Sequence, residues 1–201
     1  GLEKLGVKFS IENGFVSAEV KKDLTGAHIK LSFPSVGATE NIMMAASKAD
    51  GETIIENAAR EPEIEDLAKC LNKMGAKIKG AGTTKIIIEG VKKLSKTEHT
   101  IISDRIVAGT YVIAAVMLNN EFIIKKIKPD LLSAPLEVLQ NMGAKLETGN
   151  DFIKVLPSSS IKGITLETKP YPGFPTDLQA QIMALMSVAK GNSQIKEMIF
   201  E

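Results

Sequence analysis

Three short segments in register constrain the fold of this chain more than any other feature. Leu5-Gly6-Val7-Lys8-Phe9, Met74-Gly75-Ala76-Lys77-Ile78 and Met142-Gly143-Ala144-Lys145-Leu146 set glycines at 6, 75 and 143, so the glycines stand 69 and 68 residues apart. Each is preceded by the same kind of helix end: Leu2-Glu3-Lys4-Leu5, Leu71-Asn72-Lys73-Met74 and Leu139-Gln140-Asn141-Met142. Self-similarity at a fixed period means one supersecondary unit used repeatedly, with each copy burying its apolar face against the next.

The unit is most legible between Pro34 and Lys77. An apolar helix holding Ile42, Met43, Met44, Ala45 and Ala46 stops at Gly51, and Thr53-Ile54-Ile55-Glu56 reads as a β-branched strand. Pro62 then opens a second helix with Ile64, Leu67, Leu71 and Met74 on one face, closed by Gly75 in the C′ position. Beyond each repeat glycine come a strand, a turn (Glu12-Asn13-Gly14, Gly80-Ala81-Gly82, Thr148-Gly149-Asn150-Asp151) and a second strand over 15–20, 85–89 and 152–156, the pattern of a hairpin. A third strand is predicted over 28–33, 99–102 and 164–168. A helix follows over 39–49, 104–118 and 177–190, then a closing strand over 53–57, 122–126 and 194–199. Helices over 62–74 and 135–142 complete two of the three copies. The fold class is α/β (α+β), built from three repeated units. The chain reads as a piece of a longer repeat protein with partly uncovered apolar faces; an independent domain with short termini is the alternative.

Composition narrows the partners. The chain has 201 residues, 25 basic and 24 acidic, and a net charge of +1. Its longest basic clusters are Lys21-Lys22 and Lys125-Lys126-Ile127-Lys128, too short for a phosphate-binding face, so nucleic acid is not an expected partner. No apolar run approaches the roughly 18–20 residues that cross a bilayer, so no membrane is expected either. One cysteine, Cys70, allows no internal disulfide and makes the cytoplasm the default compartment.

Several residues could carry chemistry. The run Pro34-Ser35-Val36-Gly37-Ala38-Thr39 opens a helix whose first N–H groups lack intrahelical partners, and glycine lets a phosphate approach them. The same pattern serves an ordinary cap, and spacing alone does not separate the two. In the third copy Thr176 and Gln179 fit a capping box, which places Asp177 at the first helical position. The helix dipole there favours a charged carboxylate, as a base accepting a hydroxyl proton requires, although aspartate in a first turn is also routine. Asp104-Arg105 holds the equivalent place in the second copy, with a guanidinium suited to phosphate or carboxylate. Glu61 and Glu63 flank the start of a helix, and two carboxylates without His or Cys make a poor transition-metal site, so no metal is expected. His28 and His99, on strands one repeat apart, read as structural. Cys70 and the methionines at 42–44 and 183–186 read as core filling.

Taken together, Ser35-Val36-Gly37-Ala38-Thr39, Asn57-Ala58-Ala59-Arg60-Glu61-Pro62-Glu63-Ile64 and Phe174-Pro175-Thr176-Asp177-Leu178-Gln179-Ala180-Gln181 resemble the enolpyruvyl transferases, and within them the UDP-N-acetylglucosamine 1-carboxyvinyltransferases of peptidoglycan synthesis. The resemblance covers the whole chain. It implies βαβαββ-type units in an inverse α/β barrel-like arrangement, six to a whole protein in two domains of three, with the active site in the cleft between them. Residues 1–102 would then be part of the first domain and 103–201 part of the second, both incomplete. The implied reaction moves an enolpyruvyl group from phosphoenolpyruvate to the 3′-hydroxyl of UDP-N-acetylglucosamine by addition and then elimination of phosphate, without a cofactor. By the same resemblance Asp177 is the proton acceptor, the Ile199 backbone contacts the sugar nucleotide, and Phe33, Pro34, Ser35, Val36 and Gly37 hold the UDP part. Some relatives have lysine where this chain has Phe33. Glu61, Glu63, Asp104 and Arg105 match residues lining the cleft. The family's cysteine-bearing loop, amino-terminal lysine and phosphoenolpyruvate-binding arginines have no match here, so the chain alone is expected not to turn over. A 5-enolpyruvylshikimate-3-phosphate synthase and a non-catalytic scaffold binding a nucleotide sugar are the alternatives.

Overall fold

Each repeat glycine ends a helical segment in the left-handed region, with φ of 99° at Gly6, 102° at Gly75 and 102° at Gly143. At the latter two the closure is identical: Gly75 and Ala76 N–H donate to the Asn72 and Leu71 carbonyls, and Gly143 and Ala144 N–H to those of Gln140 and Leu139. This is the Schellman closure, whose C′ residue must take a positive φ at which any side chain is strained. Asn57 and Lys126, also 69 residues apart, share a positive φ of 56° and 61° at the ends of equivalent strands. The repeat in the letters is thus a repeat in the backbone.

The computed structural model describes residues 1–200. The chain divides into two compact units, Gly1–Ile102 and Ser103–Glu201, and its mix of helices and sheets is an α/β fold. In the first unit, β1 (Val7–Glu12) and β2 (Phe15–Val20) form a hairpin over Asn13-Gly14. Then come β3 (His28–Lys30), α1 (Val36–Ala46), β4 (Glu52–Glu56), α2 (Pro62–Lys73), β5 (Lys77–Lys79) and β6 (Lys85–Glu89). The sheet order is β3-β4-β6-β5, with β3 parallel to β4 across the α1 connection and the other pairs antiparallel. Alternation puts Thr53 and Ile55 of β4 opposite Ile88 and Ile86 of β6, all four fully buried beneath the helices with Ile42, Met43 and Ile64.

The second unit holds α3 (Arg105–Met117), β7 (Phe122–Lys125), a 3₁₀ turn (Pro129–Leu132), α4 (Ser133–Asn141), β8 (Lys145–Thr148) and β9 (Phe152–Leu156). It continues with β10 (Thr165–Glu167), a 3₁₀ turn (Thr176–Leu178), α5 (Gln179–Val188) and β11 (Gln194–Lys196). The figure β4-α2-β5-β6 recurs as β7-α4-β8-β9, and β3-α1-β4 recurs as β10-α5-β11 with its parallel strand pair. Its core joins Val112, Ile113, Leu132, Leu139, Met142, Ile153, Leu178 and Ile182.

Two expectations are corrected. Residues 99–102 form no strand, because no strand among the described residues pairs with them. His99 is instead drawn onto α2, where its Nε2 lies 3.1 Å from Asp66 Oδ2 with both side chains nearly buried. Met44 and Met183 are exposed while Met43 and Met186 are buried, since a helix with apolar residues all round still presents one side to the core. Uncovered apolar surface lies on the helices, as expected, and also on the β1–β2 hairpin. There Val7, Phe9 and Ile11 stand opposite Val20, Ala18 and Val16 on one face, and Ile11 is 74% exposed. On α3, Val107 and Tyr111 are likewise exposed.

Candidate functional site

The start of α1 is built from four consecutive residues. Ser35 is the N-cap in extended backbone, and its hydroxyl accepts the Ala38 N–H at 3.3 Å. Its N–H donates to the Phe33 carbonyl at 2.8 Å, which folds Pro34 back against the turn. Thr39 N–H returns to the Ser35 carbonyl, closing the first helical bond. The Val36 and Gly37 amides have no acceptor among the described residues, and a Cβ added to Gly37 would meet nothing within 4 Å. Two backbone donors at the positive end of a helix dipole therefore face open space, the arrangement that receives a phosphate. Phe33 is exposed beside them.

Thr39 brings the second motif to this point. Its buried hydroxyl donates to the Ser35 carbonyl at 2.8 Å and accepts the Ala59 N–H at 3.1 Å, joining the β4–α2 loop to the start of α1. Glu61, the N-cap of α2, takes the Arg60 N–H on its carboxylate at 2.9 Å, and Glu63 follows in the first turn. Glu40 of α1 sits close to both. Burial first, then the charges of Glu63 and Glu61, pushes the Glu40 carboxyl above the usual carboxylate range.

In the second unit the Asp104 carboxylate is the cap of α3, accepting the Ile106 N–H at 2.8 Å and the Val107 N–H at 2.9 Å. Both bonds fall on Oδ1. Arg105 is 6% exposed, with its guanidinium carbon 5.7 Å from the centre of the Tyr171 ring. It borders a recess of about 30 Å³ with Asp130, Ser133, Tyr171 and Pro175. That volume suits a water molecule and is far too small for a sugar nucleotide.

Asp177 lies at the middle of the 3₁₀ turn before α5, not at the first position of an α-helix, and the predicted capping box is not made. The Thr176 hydroxyl is engaged elsewhere, donating to Glu197 Oε2 at 2.9 Å; its oxygen lies only 3.4 Å from Gln179 Oε1. The neighbours of Asp177 are held firmly. Leu178 is fully buried, and a Cβ added to Gly109 of α3 would come within 2.7 Å of it. Gln181 donates across to Thr110 of α3 at 2.9 Å. Asp177 itself is exposed, and its carboxylate has no hydrogen bond or ion pair among the described residues. Of the two aspartates at helix starts, Asp104 caps its helix through Oδ1 and Asp177 makes no cap bond.

Glu197, just past β11, was invisible to motif reading. Its Oε1 accepts the Ile199 N–H at 2.5 Å and the Phe200 N–H at 3.1 Å. Burial alone would raise its pKa, but these two amides and the hydroxyls of Thr176 and Thr168 hold the carboxyl below the usual range. The Ile199 N–H is thus spent on Glu197, which leaves its carbonyl as the backbone group for the contact expected there. Among the described residues no group of three His, Cys, Asp or Glu could hold a metal, and no helix is long and apolar enough to cross a membrane.

The repeated βα figure and its helix-start sites define a carboxyvinyl transferase fold, and the family described as EPSP synthase (3-phosphoshikimate 1-carboxyvinyltransferase) matches residues 1–201. The chain belongs to that family. A curated relative from Caldanaerobacter subterraneus subsp. tengcongensis, UDP-N-acetylglucosamine 1-carboxyvinyltransferase 1, is 53% identical over 201 residues, covering 100% of this chain and 48% of that protein. A UDP-N-acetylglucosamine 1-carboxyvinyltransferase from Granulibacter bethesdensis is 50% identical with the same coverage. The chain thus spans about half the length of the curated relatives it matches. Among solved structures, the enolpyruvyl transferase NikO from Streptomyces tendae superposes with a TM-score of 0.85 at 22% identity, covering 98% of this chain and 49% of that one. EPSP synthase from Acinetobacter baumannii gives 0.65 at 21% identity, covering 95% and 45%. At such identities the likeness is one of fold.

Proposed function

We propose that the protein to which this chain contributes transfers the enolpyruvyl group of phosphoenolpyruvate to the 3′-hydroxyl of UDP-N-acetylglucosamine with release of phosphate, the first committed step of peptidoglycan synthesis, in the cytoplasm. The observation that carries this reading is the open Asp177 carboxylate on a rigidly held turn, in a chain 53% identical over its whole length to a protein named for that reaction. The 3′-oxygen bonds to C2 of phosphoenolpyruvate as its proton passes to Asp177, and C3 gains a proton. Loss of phosphate from C2 and of a proton from C3 then restores the double bond. The Val36 and Gly37 amides supply the donors for the nucleotide's phosphates, with Phe33, Pro34 and Ser35 shaping the loop around them. Glu61 and Glu63 in the first unit, and Asp104 and Arg105 in the second, are the further candidates for substrate contact, Arg105 through its fixed charge.

The family description favours a second acceptor, shikimate 3-phosphate. Phosphate release by the full-length protein with each acceptor decides between them. Release with UDP-N-acetylglucosamine alone is expected, and release only with shikimate 3-phosphate overturns the reading. The isolated 201-residue chain is expected to bind the sugar nucleotide weakly and release no phosphate; turnover by it would refute that expectation, and complete absence of binding would favour a scaffold.

A further inference from the structure

Glu197 joins two separate pieces of the second unit. Its Oε1 gathers the Ile199 and Phe200 amides into a tight turn, and its Oε2 accepts the Thr176 hydroxyl, one residue before Asp177. The fully buried Thr168, just past β10, completes the arrangement. Its N–H donates to the Lys196 carbonyl, and its hydroxyl oxygen accepts the Met198 N–H at 2.9 Å, which fixes the backbone next to Glu197. We propose that Glu197 is a positioning residue that locks the Ile199–Phe200 backbone turn onto Thr176, holding the Ile199 carbonyl and the Asp177 carboxylate in fixed register for the acceptor sugar.

The arrangement requires an acceptor there. All three partners are donors, and an ionised carboxylate accepts from each of them. Two of the partners are backbone amides, which cannot reverse. The third is the Thr176 hydroxyl, which can turn and accept, so glutamine would keep its carbonyl oxygen on the amides and offer its NH₂ to Thr176. Alanine would leave the Ile199 and Phe200 amides without an acceptor and release the turn from Thr176. Misplacing a reacting group by about 1 Å costs on the order of 10²-fold in rate, even when the altered residue never touches substrate.

This inference rests on the proposed transferase reading, and its test separates the two. In the full-length protein, E197A is expected to lower kcat/KM for UDP-N-acetylglucosamine about 10²-fold while KM for phosphoenolpyruvate stays near the wild-type value. E197Q should recover to within about 10-fold of wild type, T176V should fall between them, and E197A/T176V should be no worse than E197A, because both changes break one network. Wild-type kinetics in E197A, or additive losses in the double variant, would overturn the role; a wild-type protein without transfer activity would overturn the reading of function instead. Amide hydrogen exchange needs no turnover: Ile199 and Phe200 should be protected in wild type and E197Q and exposed to exchange in E197A, and equal protection in all three sinks the proposal. Should E197A fail to fold, E197Q and T176V carry the same comparison.

Discussion

The starts of α1 and α5 occupy the same place in the repeat and are built in opposite ways. At α1 the capping hydroxyl of Ser35 turns inward to its own helix, and what the turn presents outward is a pair of backbone donors at Val36 and Gly37. At α5 the hydroxyl of Thr176 turns away to Glu197, the helix begins as a 3₁₀ turn, and what it presents is the acceptor Asp177. The start of α3 lies between: it has an aspartate, and one of its oxygens caps the helix. A duplicated helix start can thus diverge into a candidate anion receiver, a structural cap and a candidate base, according to where one side chain finds its hydrogen bond.

The sharpest break of that contrast is Asp177→Asn in the full-length protein. Phosphate release should fall about 10²–10⁴-fold, the usual worth of a general base, with the thermal midpoint unchanged because the side chain has no bond among the described residues; full activity would remove Asp177 from the mechanism. Next is Gly37→Leu, for which the structure has room. The fold should be undisturbed while KM for the sugar nucleotide rises about 10-fold or more, worth roughly 1.4 kcal/mol. An unchanged KM in steady-state assays would make the α1 start an ordinary cap. Asp104→Ala should cost about 1 kcal/mol in chemical denaturation through loss of the α3 cap, more than Thr176→Val, which removes no cap. Equal losses would mean that the two starts are not so different.

The smallest effect concerns Glu40. Its folded carboxyl lies above its unfolded value of 4.5, so the native state keeps a proton that the unfolded chain gives up. Stability therefore falls as pH rises through 4.5 toward the folded value and levels off above it. Glu40→Gln should remove that slope in denaturation curves taken across pH 4–7 and stabilise slightly at neutral pH; an unchanged slope would mean that Glu61 and Glu63 exert no pressure on it.

Much of this was open to reading in the letters because it depends on short-range chemistry. Gly75 and Gly143 end helices because only glycine takes that φ without strain, Ser35 caps α1 because the N–H that its hydroxyl accepts is three residues away, and β4 and β6 alternate because pleated strands bury every second side chain. The 99–102 segment was misread because whether an extended run becomes a strand depends on a neighbour that the local sequence does not specify.

What tertiary structure alone decided is how the aspartates differ. Asp104 and Asp177 look alike in sequence, each an acid where an apolar helix begins. One is spent on amides two and three residues ahead. The other stays open because Leu178 is lodged against Gly109 and Thr176 is taken by Glu197, 21 residues further on. The repeat, its helix ends and its strands followed from the sequence, since each is settled within a few residues. The site was settled by contacts across tens of residues, between groups whose pairing exists only once the chain has folded.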